Sequence, residues 1–316
     1  MGRRFIPLSF AALLILAVGV LSFSRDGVCE RLLGLERWVS HLAPRSVNAG
    51  GMVMSYLERP AGGDTIVLLH GFGADRDNWV RFVRHLPAGY RVIALDLPGH
   101  GDSAKPEDQT YSVEFFTQSF ARAADALKLG RFHLAGSSMG GYVSILYASR
   151  NPGRVMDLCL MDTAGFFTGV PGQSDLMAAM ARGESPLTPV TREEYDRLLD
   201  FAFYRRPFMP WPVKSVLADR AVRSGPFLKK MFADFNANLV DPVPLLPGLH
   251  LPVLVLWGDR DRILHVSTTE VLEKNLPREK TVIMKDCGHL PMLERPEEAA
   301  RHYLDFLNAH GAKKAG

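Results

Sequence analysis

Apolar positions along the chain follow two rhythms. Short continuous apolar runs occur at Met52 to Leu57, Thr65 to Leu69, Val92 to Leu95, Phe132 to Ala135 and Leu158 to Met161. Between them, apolar side chains recur at helical spacing over Arg76 to Leu86, Val113 to Leu127 and Gly141 to Arg150. Continuous apolar strands separated by helices of this size describe βαβ units, with a parallel sheet covered on both faces. The alternation stops after Gly165, resumes at Pro252 to Trp257 and Thr281 to Met284, and ends in a helix from about Pro296 to Ala309.

The interval reads as an insertion. It carries helical patterns at Leu176 to Ala181, Arg192 to Phe203, Val213 to Arg223 and Phe227 to Asn236, has no strand pattern, and returns through the Pro/Leu-rich Asp241 to Leu251. Its aromatic residues, among them Phe166, Phe201, Phe203, Phe208, Trp211, Phe227 and Phe232, suit an all-helical cap whose second apolar face roofs a pocket for an acyl chain.

The longest apolar run lies at the amino terminus. Ile6 to Phe23 carries no charge, follows Arg3 and Arg4, and would extend roughly 27 Å as a helix, enough to cross a bilayer. A cleaved secretory signal, with Ala17-Val18-Gly19 as the cleavage region, is the alternative. Lipoprotein processing is excluded, because Cys29 follows Asp26-Gly27-Val28. Arg25, Arg31 and Arg37 on the far flank outnumber Arg3 and Arg4, but a long following domain translocates largely regardless of such charges. The expected location is therefore the cytoplasmic membrane, with the catalytic domain on its outer side. Leu32, Leu35, Val39 and Leu42 then mark an amphipathic helix, placed either on the lipid surface or against the globular domain. The expected organisation is an anchor over 1–25, a juxtamembrane helix and linker over 26–50, an α/β core over 51–165 and 252–316, and a helical cap over 166–251.

Composition narrows the function classes. The 316 residues are 47% hydrophobic and 22% charged, which excludes disorder, and 37 basic against 34 acidic side chains without a Lys/Arg block leave no footprint for nucleic acid. Three cysteines build no disulfide framework, and neither a zinc-ligand spacing nor a phosphate-binding glycine loop occurs. No metal and no organic cofactor is expected; pairing with a second copy is left open.

Chemistry concentrates where strands end. Gly136-Ser137-Ser138-Met139-Gly140 follows one strand and opens a helix, the setting a Gly-x-Ser-x-Gly nucleophile elbow requires. A serine hydroxyl is a weak nucleophile near neutral pH and needs a base, itself oriented by a carboxylate. His289, just after the last strand, is the candidate base; His265 is the competitor, and His100 reads as part of a structural turn. For the acid, the spacing in Gly258-Asp259-Arg260-Asp261 favours Asp261, with Asp259 and Asp162 as alternatives, while Asp286 faces outward or caps a turn. Backbone N–H groups of Met139 and of Phe72, in His70-Gly71-Phe72-Gly73, are the candidate oxyanion donors.

These segments resemble the α/β-hydrolase superfamily: His70 to Gly73, Asp96-Leu97-Pro98-Gly99-His100-Gly101, Gly136 to Gly141, Trp257 to Asp261, and Gly288-His289-Leu290-Pro291-Met292-Leu293-Glu294-Arg295-Pro296, together spanning about Met52 to Ala309. Within it, the amino-terminal run, Leu158-Cys159-Leu160 to Ala164-Gly165 and the cap's Thr188-Pro189-Val190-Thr191-Arg192-Glu193-Glu194 are similar to membrane-anchored monoacylglycerol lipases and bacterial inner-membrane phospholipases A. His265 departs from the proline many such proteins carry after the acid loop. The resemblance implies a Ser138–His289–Asp261 triad acting on carboxylic esters of acyl lipids. A small-molecule esterase or carbon–carbon bond hydrolase, and a non-catalytic binding protein on the same fold, are the competing functions.

Overall fold

Eight strands make one sheet in the order β1-β2-β4-β3-β5-β6-β7-β8, in a computed structural model that describes residues 24–166 and 168–311. The strands are β1 (Ala43–Ala49), β2 (Met52–Arg59), β3 (Thr65–Leu69), β4 (Arg91–Leu95), β5 (Phe132–Ser137), β6 (Val155–Met161), β7 (Val253–Gly258) and β8 (Glu279–Met284). From β4 across to β8 all neighbours are parallel, whereas β2 pairs antiparallel with β4 and with β1. The anchor expected over Ile6 to Phe23 falls outside the described residues. Among those described, no helix is long and apolar enough to cross a membrane.

Among the described residues ten helices follow in chain order: α1 (Arg25–Val39), α2 (Val80–Val83), α3 (Val113–Ala126), α4 (Met139–Arg150), α5 (Asp175–Ala181), α6 (Arg192–Ala202), α7 (Trp211–Ala237), α8 (Thr268–Asn275), α9 (Pro291–Glu294) and α10 (Pro296–Gly311). One face of the sheet packs against α3 and α4 through Phe116, Phe120, Val143 and Tyr147. The other packs against α2, α9 and α10 through Phe82, Met292, Tyr303 and Phe306. Both faces are covered, which is why the central strands read as unbroken apolar runs.

The stretch read as a linker after α1 is instead strand β1, in full register with β2 from Ala43 opposite Glu58 to Ala49 opposite Met52. The hairpin turns on Gly50 and Gly51, whose φ values of 68° and 91° suit glycine and match a two-residue loop with both positions left-handed. An edge strand exposes most of its side chains, so Pro44, Arg45 and Ser46 sit there without an apolar run to announce them.

The two helices expected either side of Arg223 are a single 27-residue α7 with Pro226 inside it. A proline removes one hydrogen bond and crowds the preceding turn, which ordinarily breaks a helix. Here Gly225 lies so close to the Pro189 carbonyl that a Cβ there would sit 2.4 Å from its oxygen. Tertiary packing of α7 against the 187–190 loop holds the helix through the weak point. Arg76 to Leu86, expected as one helix, is a 3-10 turn over Arg76–Trp79 followed by the single turn α2.

Helix α1 settles its own ambiguity on the protein side. Cys29 is fully buried against Val213 and Val216 of α7, with Leu32 and Leu33 beside it. Arg25 donates to Asp219 at 2.6 Å and to Ser215 at 2.8 Å, and Arg37 donates to Asp77 at 2.7 Å. Its opposite side leaves Leu35, Trp38 and Val39 exposed.

Candidate active site

The nucleophile candidate stands on a strained turn. Ser138 links β5 to α4 at φ 52° and ψ −119°, a region that costs an L-residue about 1–3 kcal/mol and persists only where its surroundings impose it. They do so by proximity: a Cβ on Gly136 would lie 2.3 Å from the Gly140 carbonyl oxygen, and one on Gly140 would lie 2.3 Å from that of Leu69. The Ser138 carbonyl accepts from Ala164 N–H at 3.0 Å, and its N–H donates to Met161 at 2.9 Å, tying the elbow to the end of β6.

The structure brings His289 and Asp261 together. His289 Nδ1 and Asp261 Oδ2 are 2.7 Å apart, with the two side chains 5% and 0% exposed. Asp261 Oδ1 accepts two further N–H bonds, from Ile263 at 2.7 Å and Leu264 at 2.9 Å, which fix the carboxylate in its loop. Asp259 is left aside: it takes a long contact from Cys287 N–H at 3.4 Å and lies 3.9 Å from Arg260. Asp286 is exposed, at 4.0 Å from Arg260. His265 bonds Ser267 rather than Asp261. No hydrogen bond joins Ser138 Oγ to His289 among the described residues; such contacts commonly tighten only with substrate in place.

Asp162, the remaining acid alternative, is beside the pair rather than absent from it. One oxygen each from Asp162 and Asp261 and a ring nitrogen of His289 lie within 4.8 Å of one another. Three donors of this kind could in principle hold a cation. Here His289 Nδ1 and Asp261 are already engaged with each other and with backbone N–H groups.

The candidate oxyanion loop approaches from β3. A Cβ on Gly71 would lie 3.0 Å from Ser138 Cβ, so a side chain there would crowd the loop against Ser138. Leu97 N–H donates to His70 Nε2 at 2.9 Å, which leaves the ring proton on Nδ1, and Nδ1–H donates to the Gly71 carbonyl at 2.7 Å. Burial pushes the His70 imidazole below its ordinary value and keeps it neutral. Beneath it, Asp96 accepts from Arg76 N–H at 2.7 Å and Asp102 N–H at 2.9 Å, and ion-pairs with the Arg76 guanidinium. The Asp96 to Gly101 motif is thus a brace under the oxyanion loop, and His100 packs its ring 5.0 Å from that of His70.

Sequence reasoning missed how α6 and the turn after it hold the His289 loop. His289 N–H donates to the Ala202 carbonyl, at the end of α6, at 2.9 Å. Glu294 accepts from Gly288 N–H at 3.0 Å, Tyr204 N–H at 3.1 Å and Arg205 N–H at 2.7 Å. The loop that carries His289 is therefore stapled to the end of α6 and to Tyr204 and Arg205. Glu294 was in view within the Gly288 to Pro296 motif, but its three partners are set by tertiary contact alone. From the other side, α7 places Phe232 on Phe72, ring centroids 5.2 Å apart, and makes an apolar roof over the oxyanion loop.

The α/β-hydrolase fold family matches over residues 64–296. The chain is 31% identical over 290 residues to Lipase 1 of Psychrobacter immobilis, covering 90% of each. It is 29% identical over 262 residues to the human monoacylglycerol lipase ABHD6, covering 80% of this chain and 78% of that one. A crystal structure of a membrane phospholipase A, described as a bacterial virulence factor, superposes with a TM-score of 0.90 at 42% identity, covering 96% of this chain and 97% of that one. The chain belongs to the α/β-hydrolase fold family.

Proposed function

We propose that this chain is a membrane-held lipase or phospholipase A that hydrolyses carboxylic esters of acyl lipids through an acyl-enzyme on Ser138. The observation that carries this reading is the buried 2.7 Å contact of His289 with Asp261, at the same end of the sheet as the Ser138 elbow. Ser138 Oγ attacks the ester carbonyl while His289 takes its proton and then returns it to the departing alcohol. Asp261 holds the imidazole with Nδ1 protonated and stabilises the imidazolium. The N–H groups of Phe72 and Met139 receive the negative charge that develops on the carbonyl oxygen. Water then attacks the acyl-enzyme by the same steps in reverse, with no part for a metal or organic cofactor.

The acyl-lipid assignment draws on the apolar roof that Phe232 of α7 makes over Phe72, on the lipase and phospholipase relatives and on the uncharged run Ile6 to Phe23. That run would hold the catalytic domain on the outer face of the cytoplasmic membrane. The test is a panel of monoacylglycerol, lysophospholipid, phospholipid, triglyceride and carbon–carbon cleavage substrates, read as released fatty acid or enol product. Long-chain esters should be cleaved, Ser138→Ala should abolish turnover and labelling by a fluorophosphonate, and EDTA should leave turnover unchanged. Cleavage confined to carbon–carbon substrates would move the chain to the competing class.

A further inference from the structure

Two carboxyl groups meet in the active site, and the donors around them are unequal. Asp261 accepts from His289 Nδ1, Ile263 N–H and Leu264 N–H. Asp162, fully buried, accepts one N–H, from Gly258 at 2.9 Å, through Oδ1. Its Oδ2 is buried without a hydrogen-bond partner, although the Asp261 carboxylate lies alongside. Two buried carboxylates this close cannot both ionise, and the negative charge belongs where the donors are. The proton therefore falls to Asp162, whose bare Oδ2 then has both a hydrogen to give and an acceptor to receive it.

The backbone supplies an independent observation. Asp162 sits at φ 44°, where glycine would be relaxed, yet an aspartate is kept at the end of β6 with its N–H on the Leu256 carbonyl. Burial first, and the Asp261 charge second, push the Asp162 carboxyl well above the usual range, in the same direction as the geometry. The titratable groups that face this site are Asp261 from the loop after β7, Cys287 and His289 from the loop after β8, and Glu294 from α9.

We infer that Asp162 is a positioning residue: a protonated carboxyl that donates its O–H to Asp261, fixing the triad acid and weakening its hold on the His289 imidazolium. This rests on the triad reading given above. It makes the candidate acid a pair of carboxyls with one proton, so the basicity of His289 is set by a group that touches neither substrate nor base.

The experiment is the pH dependence of kcat/KM for a soluble short-chain p-nitrophenyl ester, using the full chain in detergent. Its acidic limb reports protonation of the free base. Asp162→Gly, which the backbone accepts, removes the O–H donor; Asp261 then holds the imidazolium more strongly, and the acidic limb should move up by about half a pH unit. Asp162→Asn, whose amide can both accept from Gly258 and donate to Asp261, should bring the limb back to its parental position and recover most of the kcat lost in the glycine variant. An ionised Asp162 would instead send the limb downward in both variants, and a purely structural role would leave it in place in both. Either result overturns the proposal. If Asp162→Gly fails to fold, a downward limb in Asp162→Asn still does so. A parental enzyme that neither turns over nor labels with fluorophosphonate would remove the triad reading itself, which separates that failure from this one.

Discussion

His70 Nδ1 donates to the Gly71 carbonyl oxygen at 2.7 Å, and that oxygen belongs to the same peptide as the Phe72 N–H. A trans peptide points its N–H opposite its C=O. Fixing one end fixes the other, so a side chain behind the loop aims the candidate oxyanion donor. His70→Ala should lower kcat on a short ester about 10- to 100-fold, on the scale of one misaimed oxyanion donor, with KM within about 3-fold. An equal loss in Phe72→Ala, which keeps the N–H and removes the ring, would point to lost packing instead.

The acid assignment makes a sharper contrast. Asp261→Asn presents an amide N–H to His289 Nδ1 and so favours the wrong tautomer, which should lower kcat by at least about 100-fold. Asp259→Asn should stay within about 3-fold of the parent, since among the described residues the Asp259 carboxylate is engaged only by Cys287 N–H and Arg260. Reversed effects in the two variants would transfer the role.

The residues that carry the proposed chemistry were legible because each sits at the end of a strand with its own local signal. Ser138 is flanked by glycines that no other residue could replace, and His289 and Asp261 close the last two strands. What was not legible depends on contacts between distant segments. The Gly50-Gly51 turn was visible, but β1 before it lacks an apolar face; the patterns over Val213 to Arg223 and Phe227 to Asn236 join into one helix through Pro226, where Gly225 packs against the Pro189 carbonyl. Asp162 was in view as an alternative acid and Glu294 as part of a motif, but the partners of each are set by which backbone N–H groups the fold brings to them or withholds.

Asp75 ties pH to the same region. Its carboxylate caps the 3-10 turn after the oxyanion loop, accepting from Asp77 N–H at 2.9 Å. Packing around it, then the charges of Asp77 and Asp96, push it up to about 7 from an ordinary 3.8. An acid whose folded value is raised binds more protons folded than unfolded, so its contribution favours folding at low pH and is lost as pH rises from about 4 through about 7. Asp75→Asn keeps the capping oxygen and removes the titration. Its Tm relative to the parent should therefore climb between about pH 5 and pH 8, and a constant Tm difference over that range would remove the assigned shift.

The amino terminus gives the last prediction, and α1 says where to cut. Ser24 caps α1 by accepting from Gly27 N–H at 3.1 Å, and Arg25 is bonded to Ser215 and Asp219 of the cap. Removing residues 1–23 therefore spares the Ser24 cap and the Arg25 bonds, whereas a cut a few residues further would unpick α1 from α7. The full chain should sediment with membranes and be released by detergent but not by salt or alkali, while the shortened chain should be soluble and keep its short-ester activity. Long-chain lipids are nearly absent from free solution, because each methylene withdrawn from water contributes about 0.8 kcal/mol. An enzyme held at the bilayer meets them where they are concentrated, so hydrolysis of vesicle lipid should fall by about 10-fold or more on truncation. Equal attack on vesicles by both forms would leave Ile6 to Phe23 as an address alone, and the exposed Leu35, Trp38 and Val39 of α1 would become the next residues to test for contact with lipid.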